Sequence, residues 1–130
     1  MAIPAKLQNE IKQFQKVQQD LAAVAQQRVQ MDLKLREITH TLEELRALAE
    51  GTPIYRSIGG LLVRATDRAE VERILTEDRE TLEIRLKAVE RQENGLKERY
   101  QSMQREITEA IQAAGLSGGG GSPPPSAPPS

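Results

Sequence analysis

Residues 52–66 read TPIYRSIGGLLVRAT, and they interrupt a chain that is otherwise patterned for helix over forty-odd residues on either side. Ile54 to Ile58 and Leu61 to Ala65 are rich in β-branched and large apolar side chains. Gly59-Gly60 between them supplies the two-residue loop, with positive φ, that a tight hairpin needs. The spacing predicts two strands with position 58 opposite 61, 56 opposite 63 and 54 opposite 65. Ile54, Arg56, Ile58, Leu61, Val63 and Ala65 then share one face, and Tyr55, Ser57, Leu62 and Arg64 the other. A fifteen-residue irregular loop holding this many strand formers would be unusual.

Outward from the hairpin, the first helix is expected over 4–50. Its apolar row is Val17, Leu21, Val24, Met31, Leu35, Ile38, Leu42, Leu45 and Ala49, and the steps alternate between three and four once Arg28 is included. That is a heptad seam. Pro4 suits a first turn. Gly51 suits a left-handed cap, and Pro53 blocks the helix from resuming. The second helix is expected over 67–114, opened by an Asp67/Glu70 capping box and closed by Gly115. Its row runs through Leu75, Arg79, Leu82, Leu86, Val89, Glu93, Leu96, Tyr100, Met103, Ile107, Ala110 and Ala114. Acid-first pairs at i,i+4 are expected on the outer surface, as in Asp32/Arg36, Glu83/Lys87 and Glu93/Lys97.

Each helix would be roughly 70 Å long, and a short connector between matched helices favours antiparallel pairing. Residue numbers of facing seam positions then add to a constant: Leu42 with Leu75, Leu35 with Leu82, Val17 with Tyr100 and Phe14 with Met103 all give 117. The fold class that results is mainly α: a long antiparallel two-helix coiled coil with one central β-hairpin. The hairpin occupies 51–66 within a domain spanning 1–117. The register also brings Arg28 and Glu93 within one layer of each other. Their pairing would serve to set register more than stability; alternatively each side chain reaches out to water. Arg79 faces Ile38, and no partner is expected for it.

A lone hairpin is marginal in water and leaves two edges open. The coil cannot cover it, so the same hairpin of other subunits, closing into a barrel without edges, is the economical completion. The expected assembly residues are Ile54, Tyr55, Ile58, Gly59, Gly60, Leu61, Leu62 and Val63. At the opposite end the seam slips: Leu7, Ile11, Phe14 and Val17 step by four, three and three. Ile107 and Ile111 crowd the facing end, with Ile3 and Leu116 beyond. A two-helix coil buries one seam, so surplus apolar side chains among Ile3, Leu7, Ile11, Phe14, Ile107, Ile111 and Leu116 are expected to form a binding tip. About half of them are expected to serve mainly in packing. The interspersed glutamines offer uncharged donors and acceptors to varied partners.

Composition excludes other classes. The net charge is −1 and neither helix carries a basic stripe, so no nucleic-acid partner is expected. Aromatics are 2% of the chain, which leaves bases little to stack on and points to an elongated form. No apolar run approaches the ~20 residues that span a bilayer. The start, MAIPAKLQNEIK, lacks a signal-peptide core, and there are no cysteines, so a cytoplasmic location is expected. His40, the one histidine, falls on the outer face, and the acid pairs Glu43-Glu44 and Glu77-Asp78 do not converge on a pocket. No metal, cofactor or enzymatic activity is expected. The tail GGGGSPPPSAPPS within 118–130 is low-complexity and expected to be disordered; GGGGS resembles an artificial linker, and the tail is assigned no function.

The chain resembles the β-type subunit of prefoldin. LQNEIKQFQKVQQDL (7–21) is similar to that family's first helix, IYRSIGGLLV (54–63) to its hairpin, and LEIRLKAVERQENGLKER (82–99) to its second helix. The likeness covers about residues 5–115, and its balanced, simple sequence leans archaeal. Heptads alone are common, but their combination with one central hairpin is specific. Family α-type subunits carry two hairpins, and this chain has one. The resemblance implies a hetero-hexamer of two α-type and four β-type subunits, whose hairpins form a double β-barrel bearing six arms. It further implies that arm tips hold unfolded client proteins and deliver them to a group II chaperonin without nucleotide. A structural coiled-coil adaptor or tether is the alternative, but it has little need for the hairpin or for surplus apolar residues at the tip.

Overall fold

The structure, a computed structural model, describes residues 3–115. The elements follow in the order α1 (Ala5–Ala47), β1 (Ile54–Ile58), β2 (Leu61–Ala65) and α2 (Arg68–Ala113). The Gly/Pro/Ser tail lies outside the described residues.

Each helix end has an identifiable cause. At the start of α1, the Pro4 carbonyl accepts the Gln8 amide at 3.0 Å, so proline sits just before the helix and sacrifices no bond. At the start of α2, Asp67 Oδ1 accepts the amides of Ala69 (3.0 Å) and Glu70 (3.3 Å), which makes Asp67 the N-cap. The expected capping box is met on this side, while the Glu70 carboxylate lies 3.9 Å from Arg73. At the end of α2, Gly115 has φ +71° and donates its amide to the Gln112 carbonyl at 3.1 Å, as in a Schellman-type end.

The end of α1 departs from expectation. The helix stops at Ala47, not at Glu50. Gly51, with φ +82°, occupies the third position of a separate turn in which the Thr52 amide bonds the Ala49 carbonyl at 3.2 Å. That is the type II pattern, which requires glycine there.

The hairpin has the expected register: Ile54 opposite Ala65, Tyr55 opposite Arg64, Arg56 opposite Val63, Ser57 opposite Leu62 and Ile58 opposite Leu61. Gly59 has φ +58° and Gly60 is not in the positive region, so the loop is type II′, whose twist suits the flanking strands.

Chain contacts define two units, Met1–Ala25 with Arg91–Ser130, and Gln26–Glu90. In the first, Leu7, Val17 and Val24 of α1 are buried, as are Glu93 and Tyr100 of α2. Phe14 stacks on Tyr100 with ring centroids 4.7 Å apart, one turn from Met103, which the register puts opposite it. In the second, Leu42, Leu45, Leu86 and Val89 are buried, with Leu42 fully enclosed. Arg46 of α1 meets Glu72 of α2 at 2.6 Å. In both units an early part of one helix thus meets a late part of the other, as antiparallel pairing requires. Every seam position from Val17 to Leu45 and from Leu75 to Ala110 is buried or half-buried; Ala49 and Ala114, beyond the helix ends, are exposed.

The i,i+4 ion pairs among the described residues run base-first. Asp32 pairs with Arg28 at 3.1 Å, Glu83 with Arg79 at 3.6 Å, and Lys16 with Asp20 at 3.6 Å. Asp32 and Glu83 therefore reach back along the helix, not forward to Arg36 and Lys87. Glu93, expected in an outer pair with Lys97, is buried.

Candidate functional site

The hairpin concentrates exposed apolar surface. Ten large hydrophobic side chains are exposed among the described residues, and five of them, Tyr55, Ile58, Leu61, Leu62 and Val63, lie in this one short ribbon. Leu61 is 68% and Leu62 75% exposed, and because they are consecutive in β2 they point to opposite faces. Both faces of the ribbon are therefore apolar at the turn end. The sheet has two strands, so each strand also presents an open edge. Apolar faces with unpaired edges on a two-stranded ribbon are the features of an association surface. Ile54, at the base, is half-buried.

The expected tip residues divide by burial. Ile3 is 41% exposed, and its carbonyl accepts a bond from the Gln8 side chain at 3.0 Å. Ile11, Phe14, Ile107 and Ile111 are half-buried. Leu7 is only 4% exposed, so it packs and offers no surface. Leu116 lies outside the described residues. Beside Met103 and Ile107 runs an open groove bordered by Gln13, Glu10, Arg99 and Glu106, so apolar surface and polar groups alternate there.

The three charged seam residues are accommodated differently. Glu93 is 4% exposed and lies among the core residues of its unit. Arg28 is half-buried and donates to Asp32 at 3.1 Å. Arg79, for which no partner was expected, has its Nε buried without a hydrogen bond; the Glu83 carboxylate at 3.6 Å is within ion-pair range but beyond hydrogen-bond range. His40 is on the surface as expected, 3.1 Å from Glu44.

Sequence reasoning missed the side chains that join the helices beneath the hairpin. Arg68 donates through Nη1 to the Leu48 carbonyl at 2.7 Å and through Nη2 to the Leu45 carbonyl. The Arg46–Glu72 pair lies close by in sequence. The available signal was an arginine directly after the N-cap Asp67, one heptad before Leu75 on the seam row, where the register puts it opposite Ala49 at the end of the preceding helix. Leu33 and Ile84, 59% and 70% exposed, are apolar residues off the seam that pattern reading also passed over. No described helix is long and apolar enough to cross a membrane.

Comparison with known proteins agrees with this architecture. A family model described as prefoldin subunit matches residues 8–114. The prefoldin subunit beta of Thermococcus onnurineus is 42% identical over 112 residues, which is 86% of this chain and 92% of that protein. That of Thermoplasma acidophilum is 40% identical over 105 residues, covering 81% and 85% respectively. The crystal structure of the prefoldin beta subunit from Thermococcus strain KS-1 superposes with a TM-score of 0.76 at 34% identity, covering 85% of this chain and 96% of that one. With two long helices joined by a single hairpin, and with β-type relatives matched over most of its length, the chain belongs to the prefoldin subunit family of chaperones, on its β-type branch.

Proposed function

We propose that this chain is a β-type subunit of an ATP-independent holdase. Its hairpin joins those of other subunits in an intersubunit β-barrel, within a hetero-hexamer of two α-type and four β-type chains. Its helix ends capture non-native proteins in the cytoplasm and deliver them to a group II chaperonin. The observation that carries this reading is the hairpin, a ribbon with apolar side chains exposed on both faces and with two open edges. Membership of a chaperone family supports it, and that family is not a class of enzymes.

At the helix ends, exposed Ile3 and half-buried Ile11 and Ile111 provide the capture surface, while Leu7 closes the core. One such surface binds weakly. Several on one client give avidity without new contacts. The test is a complex carrying Ile3→Ser, Ile11→Ser and Ile111→Ser in every copy of this chain. It should assemble normally and lose most of its ability to suppress aggregation of a denatured client in the absence of ATP. Undiminished suppression by the assembled variant would overturn the tip assignment.

A further inference from the structure

We propose that Arg68 is a positioning residue that stops α1 three residues short of its sequence-encoded end and thereby sets where the chain leaves for the hairpin. Leu48, Ala49 and Glu50 are good helix formers, and Gly51 after them is suited to cap a helix ending at Glu50. Local preference therefore favours three more helical residues than α1 contains. The next helical bond would run from the Ala49 amide to the Leu45 carbonyl. That carbonyl is already engaged by the Leu48 amide at 3.3 Å and by Arg68 Nη2. The Leu48 carbonyl, which Thr52 would use in a longer helix, is held by Arg68 Nη1 at 2.7 Å.

The planar guanidinium reaches two carbonyls about one turn apart, and its positive charge sits at the end of the helix where positive charge is favoured. Lysine presents a compact point charge and cannot reproduce this fork. Arg68 also directly follows Asp67, so adjacent residues close both helices: Asp67 the start of α2, and Arg68 the end of α1. Releasing the stop has a geometric consequence. Three added residues turn the exit from α1 by about 300° and move it roughly 4.5 Å along the axis. They also halve the connector from 48–53 to 51–53.

The test is amide hydrogen exchange on the full chain, comparing the native sequence with Arg68→Ala and Arg68→Lys. The expected result is slower exchange at Ala49, Glu50 and Gly51, by about tenfold for the alanine variant and less for lysine, as helical bonds form there. Unchanged or faster exchange at these three amides would overturn the proposal, because it would mean that Arg68 only braces an end fixed by other means. The lysine variant keeps the charge and so decides the same question if the alanine variant does not fold. A second readout rests on the assembly role proposed for the hairpin: Arg68→Ala should weaken association with the partner subunits. Slower exchange with unaltered association would overturn the claim that the stop directs the hairpin, without bearing on whether hairpins join subunits.

Discussion

Replacing Leu62 with Ser separates what holds the subunit together from what holds the assembly together. Leu62 is 75% exposed in the single chain, so only a quarter of its side chain contributes to subunit stability. Full burial of a leucine is worth about 1.5–3 kcal/mol, so the subunit should lose less than about 1 kcal/mol. The remaining three quarters is available for burial between subunits and amounts to about 1–2 kcal/mol per hairpin. At 1.4 kcal/mol per factor of ten, this is about a 5- to 30-fold loss of affinity at each junction. Leu42→Ala provides the contrast. Leu42 is fully buried, and its truncation should cost about 2–5 kcal/mol of subunit stability. Thermal melting followed by helical circular dichroism reads the first quantity, and sedimentation velocity with the proposed α-type partner reads the second. The reasoning is refuted if Leu62→Ser assembles at full affinity, or if it melts as early as Leu42→Ala.

Phe14→Leu removes the stack on Tyr100 while keeping an apolar side chain, and should lower stability by about 0.5–1.5 kcal/mol in urea unfolding; an unchanged midpoint would mean the ring contact contributes nothing. Arg79→Leu removes a buried Nε that has no hydrogen bond, and should raise stability by about 1 kcal/mol in the same assay, with a decrease showing that the Glu83 ion pair outweighs desolvation.

Much of the fold was legible because period carries it. Heptad alternation located both seams, and the constant register placed Val17 near Tyr100, both now buried. Alternation of two and the Gly59-Gly60 turn located the hairpin down to its individual pairs. The misses have two causes, contacts between distant segments and the rotamers of long side chains. The α1 end moved to Ala47 where Arg68, 20 residues from Leu48, binds its last carbonyls. The direction of the surface pairs depends on which rotamer each long side chain adopts, as with Asp32 turning back to Arg28. At the tip, composition marked an apolar surplus, but only packing separates buried Leu7 from exposed Ile3. The exposure of Leu33 and Ile84, on the outer faces of their helices, has no structural explanation in the single chain.

The most direct test of the central claim, that the hairpin exists to join subunits, is native mass spectrometry of this chain recovered from its own cell lysate. The account predicts a six-subunit particle with four copies of this chain and two of a larger coiled-coil partner. A plain dimer, or a monomer attached to unrelated proteins, would contradict it, because the apolar hairpin would then close no barrel.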